Sequence, residues 1–304
     1  MFLDLHRLHL LRELATRRTV TAVADALAYT PSAVSQQLRT LERELGLTLL
    51  ERQGRGVVLT PAGRALVARA DAVFDAADLA TGAAERVAQR LVGPIHLGAF
   101  ASAGATLIPW AVARLRRDHP DLEVRFTEVA DAGLQELRLG RIDVWLEQRY
   151  AALPRPNLGD LEEHVLLTEP VSLAVPTEHD HGGTLAAHRA AVWIGGPPGS
   201  ACRRLLEALS ERAGIQPDVR YVTEDLEPTL QLVAAGVGVA ILPRLATLRV
   251  PDGVRIHTLD EVREVVAVTR PGTSARPALA AALEALHAAG DEHRERTGYL
   301  EVAS

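Results

Sequence analysis

Lysine is absent from these 304 residues, asparagine occurs once, at Asn157, and cysteine once, at Cys202. A single cysteine excludes an internal disulfide and with it every disulfide-stapled scaffold. All 33 basic residues are arginine, so the missing lysine and asparagine fit an avoidance of A-rich codons and carry no mechanism. Aromatic residues make up only 4% of the chain, and no stretch approaches the ~18 apolar residues of a membrane span. The opening MFLDLHRLHLLREL interrupts its leucines with His, Arg and Glu, which is not the pattern of a secretory signal. The expectation is a cytoplasmic protein with no membrane partner. What is present is ordinary: 47% hydrophobic and 24% charged residues, enough for sizeable cores, over a length that suits two or three domains.

The net charge of −6 is unevenly distributed. Residues 1–65 hold nine arginines against six acids, whereas the remainder holds 24 arginines against 33 acids. A basic head on an acidic body suggests that one end meets a polyanion. In the head, Leu5, Leu8, Leu11 and Leu14 recur every three residues and predict a helix over 4–17. Val20, Val23, Ala24 and Leu27 predict a second, short helix after Thr19. Thr30-Pro31 is a cap followed by proline at the first helical position, opening a third helix over 31–45 that buries Val34, Leu38, Leu41 and Leu45 and ends at Gly46. Its outward face carries Ser32, Ser35, Gln36 and Arg39. Two short helices at a tight turn, the second with a polar face, describe a helix-turn-helix. Gln36 and Arg39 are of the types that read adenine and guanine in the major groove, while Thr30 and Ser32 suit phosphate. Strands over 47–52 and 57–60 around Gln53-Gly54-Arg55-Gly56 form a wing, which places Arg52 and Arg55 for backbone or minor-groove contact. The alternative is a plain three-helix bundle with a solvated polar face, against which stand the wing and the local positive charge.

The run AVADALAYTPSAVSQQLRTLERELGLTLLERQGRGVVLTPAG, with its AVSQQL core, LERELG, the L-x-R-x-G-R wing and the closing LTPAG, resembles the N-terminal domain of LysR-type transcriptional regulators. The chain departs from many members in having Thr30-Pro31-Ser32 before the AVS core, and Leu50 where phenylalanine is commoner. The resemblance implies binding to double-stranded promoter DNA. Thr60-Pro61 then opens a helix to about residue 89 whose Leu66, Ala70, Val73, Ala77, Ala80, Ala84 and Val87 follow a heptad spacing. Packing on its own domain would give the same periodicity. The resemblance favours a homodimer through 61–89, and from it a homotetramer, with paired recognition helices on a two-fold-related site.

From Gly93 the pattern becomes strands alternating with helices: strand 94–100, helix 104–117, strand 122–127, helix 132–139, strand 142–146. The order recurs as strand 190–195, helix 199–213, strand 218–223, helix 227–236, strand 237–242. Pro120-Asp121 aligns with Pro217-Asp218 and Gly140 with Gly236, at offsets of 97 and 96. This is an internal repeat of two βαβαβ units. The expected fold is α/β: a winged helix-turn-helix over 1–60, a linker helix over 61–91, and a two-lobe α/β domain over 92–290. Lobe I comprises 92–163 and 268–290, and lobe II 164–267, with 161–170 and 262–271 as crossovers and a last helix over 276–289 returning to lobe I. Residues 291–304 form a polar tail. TEPVSLAVP and AAGVGVAILP are the marks by which this half resembles the effector domain of the same family, itself similar to periplasmic solute-binding proteins.

In such lobes a ligand sits outside the C-terminal strand ends. That topology nominates Phe100, Ala101 and Ser102 after the first strand, and Asp131 after the second. In lobe II it nominates Gly196 to Ser200 with Trp193 just ahead, and Thr223, Glu224 and Asp225. Glu147 and Gln148 end the third strand of lobe I. The resemblance implies effector contacts at Ser102 and around Thr223, and the acids near the mouth suit a cationic group. Phe100 and Trp193 as core and the acids as helix caps are an equally weighted reading. No catalytic residue, metal or cofactor is expected. Cys202 has no linked histidine, and the two-cysteine peroxide chemistry of the family cannot run within a chain holding one. GVGVAI lacks a third glycine, and neither His179-Asp180-His181 nor His6 with His9 completes a ligand set. The sequence thus points to a LysR-type regulator controlled by a small-molecule effector, with RNA polymerase a further candidate partner. The rival is a small-molecule-binding protein whose helix-turn-helix serves protein interaction, without salt-dependent DNA affinity. A ligand-free nucleoid-type binder is disfavoured by the intact repeat.

Overall fold

The computed structural model describes residues 3–53, 56–88, 91, 93–129, 132–247 and 249–297. They fall into two compact units, Met1–Thr81 and Gly82–Ser304. The first begins with α1 (Leu5–Arg17), α2 (Val20–Ala26) and α3 (Pro31–Leu45). Each starts on a side-chain cap: Asp4, Thr19 and Thr30 accept from the backbone N–H groups of Arg7, Ala22 and Ala33. Leu11, Leu14, Val23, Val34, Leu38 and Leu41 close one core. Leu5, the first of the leucine stripe, stays exposed, and Leu10 takes a buried place instead. The wing is a hairpin of β1 (Leu50–Gln53) and β2 (Gly56–Leu59), with Gln53 paired to Gly56. Its first strand starts at Leu50 rather than 47 because Glu42 Oε1 accepts from both Leu49 N and Leu50 N, holding that stretch as a turn.

The LTPAG segment joins wing to helix. Thr60 Oγ1 donates to Thr48 O and accepts from Gly63 N, capping α4 (Pro61–Ala88). A Cβ on Gly63 would lie 2.3 Å from Leu49 O, so only glycine allows this approach. Of the heptad positions, Ala70 is fully buried and Leu66 packs on the same core. Own-domain packing therefore accounts for the first turns, while Ala80 and Ala84 are exposed. The side chain of Val87 lies outside the described ones.

The second unit contains β3 (Ile95–Ala99), α5 (Ala101–Ala105), α6 (Leu107–Asp118), β4 (Val124–Glu128), α7 (Gly133–Arg138), β5 (Val144–Tyr150) and β6 (Glu162–Pro176). It continues with β7 (Val192–Gly195), α8 (Ala201–Arg212), β8 (Asp218–Val222), α9 (Leu226–Ala234), β9 (Val239–Pro243), β10 (Val254–Thr269) and α10 (Pro277–Thr297). The repeat is plain in the sheet: β3 lies parallel between β4 and β5, as β7 lies parallel between β8 and β9. The landmark glycines match as well, Gly140 and Gly236 having φ of 67° and 75°.

Three expectations change. The crossovers are not short links but the long strands β6 and β10, paired antiparallel, so the two lobes form one mixed sheet of order β4-β3-β5-β10-β6-β9-β7-β8. Nearly continuous apolar runs at 171–175 and 265–268, buried on both faces, make these central strands. The first helix of lobe I starts early and breaks at Thr106, whose φ of −122° and ψ of −69° separate α5 from α6 and whose hydroxyl donates to Ser102 O. Finally, α10 runs on to Thr297, taking up the first half of the expected tail and burying His293. Among the described residues no helix is long and apolar enough to cross a membrane.

Candidate functional site

On α3, Ser32, Gln36 and Arg39 are exposed along one stripe and Ser35 is half-buried beside it. Thr30 Oγ1 holds the cap and lies 3.0 Å from Ser32 Oγ. Most of the described arginines in residues 3–64 are engaged. Arg7 bonds Gln37 and Glu44, Arg12 pairs with Asp71, Arg17 with Glu13, Arg43 donates to Thr40, and Arg64 to Leu59 O. Arg39 and Arg52, both exposed, have no such partner among the described residues, nor has Arg18 at the end of α1. Arg18 was not anticipated from the sequence. Arg55 lies outside the described residues.

The second unit holds a cleft of about 390 Å³ between its lobes. Phe100, Ala101, Ser102, Thr223, Glu224 and Asp225 line it as expected, Gln148 joins them, and Asp131 lies outside the described residues. Trp193 and Ser200 do not line it, nor do Pro197, Pro198 and Gly199 between them. Trp193 is fully buried among Leu173, Val175, Leu206 and Val239, because alternation along β7 turns Ile194 to the cleft and Trp193 away from it. Ser200 is committed as the cap of α8, accepting from Arg203 N at 3.3 Å, and its neighbours Ala201 and Cys202 reach the wall instead. Glu147 also turns away; burial pushes its carboxyl above the ordinary value, although Trp145 Nε1 donates to it at 3.1 Å.

The residue the sequence reading missed is Arg263, on the cleft floor and 1% exposed. It stands in register between Tyr150 on β5 and Glu169 on β6. Its Nε donates to Glu169 Oε1 at 2.7 Å and its Nη2 pairs with the same carboxylate. Its Nη1 donates to Ser102 Oγ at 3.0 Å and Gln148 Oε1 at 3.2 Å, with the guanidinium 5.0 Å from the Phe100 ring centre. The Tyr150 hydroxyl donates to Gln148 Oε1 at 3.1 Å and stands 3.8 Å from Cys202 Sγ. Burial pushes the Glu169 carboxyl up, with the Arg263 charge pulling the other way. Glu169 Oε2 accepts from Leu245 N at 2.6 Å, beyond the cleft wall. The available signal was a lone acid in LLTEPVSLAVP and a lone base in EVREVVAVT. Inside doubly covered strands, each needs the other.

Among the described residues no three His, Cys, Asp or Glu side chains gather as a metal site. Asp180 of the HDH stretch is engaged by Arg255 at 2.9 Å and His257 at 2.8 Å.

An exposed polar recognition stripe with a wing, followed by a two-lobe cleft with a buried polar floor, defines a ligand-responsive DNA-binding protein. The family described as "Bacterial regulatory helix-turn-helix protein, lysR family" matches residues 5–64, and "LysR substrate binding domain" matches 88–291. The chain belongs to the LysR family of DNA-binding transcriptional regulators, with an effector-binding domain. It is similar to the "DNA-binding transcriptional dual regulator OxyR" of Escherichia coli, 29% identical over 97% of this chain and 98% of that one. It is also similar to the "Transcriptional dual regulator GltC" of Bacillus subtilis, 29% identical over 79% and 81%. Among solved structures, full-length OxyR from Pseudomonas aeruginosa shares the fold, with a TM-score of 0.67 at 22% identity over 94% of this chain and 95% of that one.

Proposed function

We propose that Gln36 and Arg39, with Ser35 beside them, read bases in the major groove while Thr30, Ser32, Arg52 and Arg55 hold the phosphate backbone, and that a small molecule in the interlobe cleft alters how the assembled protein lies on its promoter. One observation carries the first half. Where most of the described arginines in residues 3–64 are engaged, Arg39 on the stripe and Arg52 on the wing stand exposed without a partner among the described residues, as groups that await phosphate or base edges do. The second half rests on a cleft of suitable size with polar groups converging on its floor. The protein acts in the cytoplasm as a homodimer through the later turns of α4, assembling further into a tetramer, and carries out no enzymatic reaction. Ligand binding regulates only if one arrangement of the lobes is preferred over the other.

The test is a gel shift and footprint on the DNA upstream of its own gene at two salt concentrations, with and without a pooled metabolite extract. A sequence-specific footprint that weakens with salt and changes length with the extract supports the reading. Binding indifferent to salt would favour the protein-interaction alternative. Arg39→Ala relaxes base specificity, whereas Arg52→Ala and Arg55→Ala weaken binding to all sequences alike. Equal losses on specific and random DNA for Arg39→Ala would remove it from base readout.

A further inference from the structure

We propose that the cleft takes a zwitterion, its carboxylate received by the Ser102 hydroxyl and the Gln148 amide, and its cationic end facing Glu128 and Glu224. The inference rests on the cleft being the effector site and names the class of effector.

The argument starts from what Arg263 cannot do. A guanidinium has five donors and no acceptor, so the atoms facing it must be acceptors: both carboxylate contacts, Ser102 Oγ and Gln148 Oε1. The Tyr150 hydroxyl, which can donate or accept, then gives its proton to the same oxygen. What remains on the cleft side is the Ser102 hydroxyl proton and the two protons on Gln148 Nε2. None of these has an acceptor among the described residues. Ser102 is 4% exposed, so bulk water does not serve it, and a buried donor left unmet is costly. Both residues line the cavity. The floor therefore offers donors only, and the inner end of the occupant is an acceptor.

Its charge follows from which half of the ion pair reaches the wall. Arg263 lines the cavity and Glu169 does not; Glu169 is turned to Leu245 N. The positive partner faces the occupant, which favours an anionic acceptor with two oxygens for two donors. The outer end differs. Glu128, at the end of β4, and Glu224, after β8, line the same cavity from opposite lobes, exposed and without partners among the described residues. Asp225 lines the rim too but gives one oxygen to Glu227 N as the cap of α9. One small molecule meeting a donor floor and a carboxylate rim carries both signs.

The experiment is thermal shift and calorimetry on the full chain with three probe sets: the protein amino acids, straight-chain carboxylates from acetate to hexanoate, and alkylamines of matching length. The expected result is that at least one amino acid binds while the matched acid and amine bind about ten-fold more weakly or worse. Ser102→Ala weakens that amino acid about ten-fold. Gln148→Glu, which turns an acceptor toward the carboxylate, abolishes binding. Glu224→Gln weakens the amino acid and not the simple acid. The unliganded melting temperature of each variant checks its fold, and Glu224→Gln, at an exposed position, carries the test if Ser102→Ala is unstable. A simple acid binding as tightly as any amino acid, an amine binding where the acid does not, or no probe binding at all would overturn the proposal. A neutral or purely cationic compound recovered from the extract by the footprint assay would overturn the zwitterion and leave the regulator reading standing.

Discussion

Ser102 and Ser200 occupy the same place in the two halves of the repeat, each just beyond the first strand of its lobe and each almost fully buried. Their hydroxyls do different work. Ser200 follows a glycine- and proline-rich loop, with Gly199 at a φ of 89°, and enters α8 as its cap. In lobe I the chain enters α5 at Phe100, which has no side-chain cap bond, so Ser102 falls inside the helix and meets Arg263. Among the described residues no other arginine lines the cleft, and Ser200 meets none there. A repeat thus preserves backbone and reassigns hydroxyls: equivalence in sequence locates a residue without giving its role.

The comparison can be broken most severely at the ion pair that aims Ser102. Glu169→Ala strands the Arg263 charge in the interior and is expected to cost about 3–5 kcal/mol, read as a lower urea midpoint. A midpoint that barely moves would mean that no rigid network holds Ser102. Next is acid. Burial, with Arg263 and Arg244 nearby, lowers the His293 imidazole to about 4, from an ordinary 6.5. The unfolded chain therefore binds this proton first, and stability falls as pH drops from about 6.5 toward 4. Solvent screening at a partly covered site brings the effect to about 2 kcal/mol. His293→Gln should flatten that limb of the pH–stability curve. The glycines test where the lobes agree: Gly140→Ala and Gly236→Ala, both in the left-handed region, should each cost about 1–2 kcal/mol by thermal melting. Unequal losses would show that the repeat is not energetically matched there. The smallest expected effect is the most telling. Ser200→Ala should lose about 1 kcal/mol as a missing cap, more than Ser102→Ala, while only Ser102→Ala blunts the effector response. The same order in both assays would make the two serines alike after all.

The helix-turn-helix was legible because its signals are local. Thr30-Pro31 and Thr60-Pro61 announce helix starts, and Gly46 an end in the left-handed region. The repeat was legible through its turns. The sheet's centre was not. Tyr150, Arg263 and Glu169 stand side by side across three strands although up to 113 positions separate them, and Arg263 meets Ser102 across 161. Register between distant strands is set by packing that no window of sequence contains. Trp193 failed as a cleft residue for a smaller reason: a one-residue shift along a strand exchanges its faces, and a short strand leaves little pattern to fix the phase.

The ladder between β6 and β10 is interrupted between Thr258 and Val262 and again between Val265 and Val266. Residues 262–265, paired with 167–170, thereby form a small plate with a bulge at either edge, and the plate carries both Arg263 and Glu169. Bulged ladders bend at the bulge, so these edges are where a rotation of one lobe against the other would be taken up, the plate between them keeping its shape. The mechanical consequence is a lever. A pull on Ser102 from the cleft would act on the same plate that grips Leu245 through Glu169, with the pair of strands both lobes share as its fulcrum.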